Sequence, residues 1–228
     1  NYNSSAGEAE AIATELQEKY GVKAVALKGN LAEEQDIHDM LAACEEALGN
    51  IDILVNNAAY CPRGPITSYS KEEWEKTFTI NVTGCFIASR EMVRRWLERD
   101  VKGKIVNIAS QAAFLGSTSG HLPYDSSKGA MVSMTRAIAR EVAPNGITVN
   151  AVAPGMVKTE MVKKNLATKG AFYLSRIPLN RIAEPAEIAS LVTFLASDPP
   201  GYIPGPTLDA TGAQKMRCGR VKRESTPS

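Results

Sequence analysis

The sequence predicts an α/β domain built on a parallel sheet. Short apolar runs alternate with longer segments of helical periodicity along almost the whole chain. One run, Ile51–Val55, is apolar at every position but Asp52, as a strand covered on both faces suggests. The 228 residues are enough for one sizeable domain with its own core.

The elements follow in order. Asn1–Ser5 is a polar loop. Ala6–Tyr20 carries Ala9, Ile12, Ala13 and Leu16 on one helical stripe. Val22–Leu27 reads as a short strand, Glu33–Leu48 as an amphipathic helix and Ile51–Val55 as a buried strand. Ser70–Asp100 reads as one long helix, with Ser70 as N-cap and Glu73 three residues on completing a capping box. Strand 104–109, helix 124–142 and strand Thr148–Val152 come next. Met156–Arg181 is a mixed stretch whose Met156, Met161, Leu166, Phe172, Tyr173 and Leu174 suit either a pocket lid or ordinary helix packing. Pro185–Ala196 is a helix with proline near its first position, and Thr207–Asp209 is a candidate last strand.

Composition excludes several function classes. Twenty-six basic against 25 acidic residues give a net charge of +1, which argues against a nucleic-acid groove. The four cysteines, Cys44, Cys61, Cys85 and Cys218, lack metal-ligand spacing, so no metal site is expected. Scattered single cysteines suit a cytoplasmic setting. No apolar run reaches membrane-spanning length. Residues 214–228 form a basic, then polar tail that reads as disordered and solvated.

The chemistry concentrates at Ser110–Lys128. Ser110 leaves the end of a strand, and Tyr124 and Lys128 open a helix. Residues four apart share a helical face, so a phenol and an ammonium point the same way. A positive charge nearby lowers a phenol's pKa from about 10, and a phenol so tuned can protonate a carbonyl oxygen or deprotonate an alcohol. A surface Tyr–Lys pair on an amphipathic helix is the plain alternative.

Four segments occur in a telling order: DILVNNA (Asp52–Ala58), INVTG (Ile80–Gly84), the Ser110–Tyr124–Lys128 set and VNAVAPGMVKT (Val149–Thr159). With them the chain resembles the classical short-chain dehydrogenase/reductases, and most nearly the 3-oxoacyl-carrier-protein reductases. The resemblance implies a Rossmann-like doubly wound parallel sheet over residues 1–213. It also implies that the family's Gly-rich turn and first strand–helix unit, expected ahead of Asn1, are absent here, either because the sequence is a fragment or because the protein is a shortened, inactive product; their loss would separate strand 22–27 from strand 51–55.

As the resemblance implies, the catalytic set is Asn81, Ser110, Tyr124 and Lys128. Tyr124 is the general acid/base. Lys128 tunes it and holds the cofactor ribose, Ser110 holds the substrate oxygen, and Asn81 holds a water that relays protons to Lys128. Gln111 and Ser117 are alternatives for the role of Ser110. The implied cofactor contacts are Asn30 and Leu31 at the adenine, Asn57 and Ala58 by the ribose, and Tyr124 with Lys128 at the nicotinamide ribose. Pro154, Gly155 and Val157 fall at the carboxamide, and Thr159 near the phosphates. NADP(H) is favoured over NAD(H), because Asn1–Ser5 (NYNSS) carries no acidic residue where NAD-users place one.

The implied activity interconverts a ketone and a secondary alcohol by hydride transfer. A 3-oxoacyl or polyketide substrate, a sugar or polyol, and a non-catalytic remnant that acts only by dimerising remain open. Cys61, Pro62 and Arg63 are expected at the pocket rim. The implied partners are a small-molecule substrate and further copies of the chain, as a homodimer or homotetramer, with no nucleic acid and no membrane. Ala59 in NNAA and ATGA at Ala210–Ala213 depart from the family pattern, and Pro204 and Pro206 crowd the last strand.

Overall fold

The computed structural model describes residues 1–117, 120–159, 170, 172–198 and 203–214. The tail beyond Gln214, and Met161 and Leu166 of the expected lid, lie outside the described residues. Helices α1 (Ala6–Tyr20) and α2 (Glu34–Leu48) come first. They are followed by strand β1 (Ile53–Asn56), helices α3 (Lys71–Phe78) and α4 (Gly84–Arg99), and strand β2 (Lys104–Ile108). A short α5 (Ala112–Leu115), long α6 (Leu122–Val142), β3 (Thr148–Pro154), α7 (Pro185–Ala196) and β4 (Thr207–Ala210) complete the order.

The four strands pair in parallel in the order β1-β2-β3-β4. Alternate residues feed opposite faces, as the strand period requires. Ile105 and Val149 pack with Ile37, Leu41, Met92 and Trp96 of α2 and α4. Val106 and Val152 pack with Leu195 of α7 on the other face. Helices therefore cover both faces of a parallel sheet, as expected for α/β architecture.

Three details differ from the sequence expectation. Val22–Leu27 forms no ladder; a single parallel bridge, Tyr2 to Lys28, marks its end. A strand needs a neighbour to satisfy its backbone, and none of the described residues supplies one. An open groove lies beside it, lined by Gln17, Val22, Val25 and Leu48. Correspondingly, β1 is an edge strand rather than a buried one, with Ile53 44% and Val55 41% exposed. The apolar stripe of α1 exists but buries nothing.

The third difference is inside the long helix. Ser70 caps it as expected, accepting from the Glu73 N–H at 3.2 Å. The helix then widens into a π-turn at Thr79–Thr83 before resuming as α4. Such turns are uncommon and gather at functional sites. At the far end, Pro204 and Pro206 precede the last strand rather than interrupt it: the Ala151 N–H donates to Pro206 O at 3.0 Å.

Candidate active site

The C-terminal ends of the strands carry the site, where parallel sheets with helices on both faces bind their ligands. Two asparagines in the strands build its floor. Asn56 and Asn107 are register partners on β1 and β2. The Asn56 amide donates to Asn107 Oδ1 at 2.8 Å and to Ser89 Oγ at 3.1 Å. Asn107 donates in turn to Thr135 Oγ1 at 2.9 Å. This buried polar chain ties two strands to α4 and α6. Reasoning from the sequence missed it; two asparagines at matching places in apolar runs were the available signal.

The π-turn positions Asn81, which is wholly buried. Its Oδ1 accepts from the Tyr60 N–H at 2.7 Å. Its amide donates to Tyr60 O at 2.8 Å and to Ser127 Oγ at 2.9 Å. Asn81 therefore clamps the loop after β1 onto α6 one residue before Lys128. Gly84 of the same segment lets α4 approach the Asn30–Leu31 turn. A Cβ there would sit 2.3 Å from Leu31 O, closer than atoms allow.

Tyr124 and Lys128 fall one turn apart on α6, as their spacing requires. Lys128 is 1% exposed and donates to Ile108 O, at the end of β2, at 2.5 Å. Its Nζ lies 5.6 Å from the Tyr124 ring centre. Ser110, just past the end of β2, sits close enough to the Tyr124 phenol to lower its pKa. The Ser110 Oγ also accepts from the Ala112 N–H at 3.1 Å. Ser110, Tyr124 and Lys128 thus converge.

The electrostatics differ from the expectation that Lys128 lowers the Tyr124 pKa. Burial dominates and pushes the phenol up to about 12; Ser110 lowers it, and Cys61 and Asp125 raise it further. Burial likewise holds the Lys128 ammonium down to about 8. Sequence spacing shows that two groups share a face, but not how much water they lose.

These shifts set a pH dependence of stability. The ordinary value for Lys128 is 10.5, so between about pH 8 and 10.5 the unfolded chain binds the extra proton and stability rises with pH. For Tyr124, ordinarily 10.0, the folded chain keeps the proton up to about pH 12, so stability falls with pH above 10. The stability difference between wild type and Lys128→Met is therefore expected to move in favour of wild type from pH 8 to 10 in urea unfolding. A difference that stays flat over that range would count against a buried ammonium.

The remaining sequence-predicted residues line the same edge. Asn30 closes a local turn, its Oδ1 accepting from the Ala32 N–H at 3.0 Å, and Leu31 meets α4 at Gly84. Asn57 is exposed and Ala58 half-buried in the loop after β1. Pro154 O accepts from the Gln111 N–H at 2.9 Å, and the Gly155 N–H donates to Ala210 O at 3.0 Å. A Cβ on Gly155 would lie 2.9 Å from the Thr211 Cα, so the approach there demands glycine. Val157 bridges to Ala183, while Thr159 is exposed. Beside Gly155, the buried Oε1 of Gln111 accepts no hydrogen bond. An unpaired buried acceptor is costly, and an amide donor such as a nicotinamide carboxamide fits it. Ser117 Oγ is likewise buried with no partner among the described residues.

A sequence profile described as enoyl-(acyl carrier protein) reductase matches residues 2–212. The chain belongs to the short-chain dehydrogenase/reductase family. It is 35% identical over 204 residues to the 3-oxoacyl-[acyl-carrier-protein] reductase FabG of Aquifex aeolicus, covering 90% of this chain and 82% of that one. Among solved structures it resembles a short-chain type dehydrogenase/reductase from Mycobacterium marinum. There the TM-score is 0.86 at 30% identity, covering 92% of this chain and 82% of that one. It also resembles the sorbitol-6-phosphate 2-dehydrogenase SrlD of Erwinia amylovora, with a TM-score of 0.85 at 26% identity, covering 92% and 87%. The family is one of oxidoreductases. Among the described residues no acidic, histidine or cysteine cluster suits a metal, and no helix is long and apolar enough to cross a membrane.

Proposed function

We propose that the protein is an NADP(H)-preferring carbonyl reductase or alcohol dehydrogenase acting through Tyr124. The observation that carries this reading is the buried Lys128, one turn along α6 from Tyr124 with its ammonium 5.6 Å from the phenol ring, and Ser110 acting on the same phenol. In reduction, Tyr124 protonates the substrate oxygen while Ser110 hydrogen-bonds that oxygen and fixes its position. A bound nicotinamide supplies the hydride; the chain supplies placement and the proton. Lys128, one turn along α6, holds the ribose and offers a cation to the developing phenolate. Both hydrogens of the Asn81 amide are engaged by Tyr60 and Ser127. Any water relay at that residue therefore runs through its backbone carbonyl, and the side chain acts as a brace.

Asn30, Leu31, Asn57, Ala58, Pro154, Gly155, Val157 and Thr159 are assigned to the cofactor along the strand ends. Asn1–Ser5 runs beside Lys28 and Gly29, with the Tyr2 N–H donating to Leu27 O at 3.0 Å. Uncharged amides and hydroxyls beside a lysine accept a 2′-phosphate without repulsion. The full-length protein is therefore expected to show a higher kcat/KM with NADPH than with NADH. Comparable values would remove the NADP preference and leave the reductase assignment standing.

The substrate is a small ketone or its secondary alcohol, of the 3-oxoacyl kind suggested by the FabG relative. The likeness to sorbitol-6-phosphate 2-dehydrogenase favours a sugar or polyol as the second reading. NADPH oxidation against a panel of β-ketoesters, 3-oxoacyl thioesters and ketoses tests the proposal; no turnover with any of them would sink it. The protein is assigned as a homodimer or homotetramer assembled through α4 and α6, with the exposed Phe86 and Leu97 of α4 on the joining face.

A further inference from the structure

The loop that follows Ala59 is sewn to the turn in front of α6. The Gly64 N–H donates to Gly120 O at 2.9 Å, and the Tyr69 hydroxyl donates to the same oxygen at 2.8 Å. Gly120 has φ of +75°, and a Cβ there would lie 2.4 Å from Gly64 O, so the seam needs glycine at that position. It brings Arg63 to His121, three residues and one helical turn ahead of Tyr124.

The contacts fix the state of the imidazole. His121 Nδ1 lies 3.0 Å from Pro62 O, and Nε2 lies 3.4 Å from Arg63 Nη2. A carbonyl only accepts and a guanidinium only donates. One neutral tautomer satisfies both: Nδ1 carries the proton, and Nε2 accepts from Arg63. Cys61 Sγ completes the cluster, 3.6 Å from Nδ1.

Arg63 differs from five arginines of the chain that hold ion pairs. Arg90, Arg94, Arg95, Arg99 and Arg181 each sit on a glutamate. Arg63 is exposed and has no carboxylate within ion-pair distance among the described residues; its one side-chain contact is the imidazole. Asp125, one of the acids that act on the seam, accepts the Ser117 N–H at 2.6 Å through Oδ2, and its buried Oδ1 has no partner among the described residues. The seam sets the guanidinium against His121, three residues ahead of Tyr124 and beside Cys61. The Cys61 thiol feels both Arg63 and Lys128, and Cys61 in turn acts on Tyr124.

We propose that Arg63, oriented by His121, is the recognition group for an anionic substituent, a carboxylate or a phosphate, on the carbonyl substrate. A guanidinium with most of its fork free presents the geometry that bidentate oxyanions need. His121 is the positioning residue: it spends one N–H of the fork to hold the plane. The role in substrate choice rests on the carbonyl-reductase reading above; the anion site itself does not.

The test uses the imidazole as reporter, since His38 and His121 are the chain's two histidines. His38 sits between Glu34 and Glu91 and serves as the internal control. Side-chain nitrogen NMR of the full-length protein is followed during titration with acetoacetate, dihydroxyacetone phosphate and the neutral ethyl acetoacetate. The two anions are expected to shift the His121 resonances saturably and the ester is not, and the tighter anion identifies carboxylate or phosphate as the preferred group. Arg63→Gln, at an exposed position, is expected to weaken anion binding at least about tenfold, with His38 unmoved throughout. No saturable His121 shift with either anion, or equal affinity in Arg63→Gln, overturns the proposal. Anion binding without reduction of any ketone would leave this site standing and remove the reductase reading instead.

Discussion

Tyr124→Phe is expected to lower kcat for ketone reduction by roughly 10²–10⁴-fold in the full-length protein, the usual worth of a positioned acid. The substitution removes one oxygen and keeps the ring. Burial of the ring, its place on α6 and the nearby Lys128 ammonium all persist. Ser110 keeps its bond from the Ala112 N–H, so its hydroxyl stays at the strand end. Cofactor affinity is therefore expected to stay largely intact, read by fluorescence titration with NADPH. Loss of kcat with retained binding isolates the proton from the scaffold. Retained turnover would mean that another group supplies it.

The largest stability loss is expected from Trp96→Ala, at about 3–5 kcal/mol in urea unfolding. Trp96 is 1% exposed and joins α2, α4, β2 and β3 in one cluster. Its indole N–H donates to Ile51 O at 2.6 Å, just ahead of β1. Gly103 closes over the ring: a Cβ there would stand 2.1 Å from Trp96 Cδ2. Removing the indole thus leaves a cavity and strips a carbonyl of its donor. A loss below about 1 kcal/mol would mean that the surrounding helices close over the gap, which their packing argues against. The ion pairs of Glu45 with Arg95 and Arg99 tie α2 to α4 beside the cluster.

Much of this was legible in the sequence, and what was not has physical causes. Helices announce themselves locally, by period and caps, and Ala6–Tyr20, Pro185–Ala196 and the α6 segment appear where expected within two residues. Strand status is not local. Val22–Leu27 has a strand's composition, yet pairing depends on a neighbour that lies elsewhere in the chain. Ile51–Val55 reads as interior, yet only the sheet order shows it at the edge. The π-turn at Thr79–Thr83 interrupts no hydrophobic pattern and contains no proline, so the long helix looks continuous from its sequence.

The site divides the same way. Tyr124 and Lys128 are visible because four residues make one helical face. The buried bonds from Asn81 to Tyr60 span 21 residues of sequence, and the Asn56–Asn107 pair spans 51. Nothing in local spacing reveals them. The direction of the Tyr124 shift was hidden for another reason: burial is decided by packing, and here it outweighs the cation.

The bare flank of β1 has a practical corollary. Its sequence, Ile-Leu-Val-Asn, holds neither lysine nor proline, the residues that ordinarily discourage one sheet from growing onto another. Its backbone N–H and C=O groups on that side stand ready to pair in parallel with a further extended segment, as the other side pairs with β2.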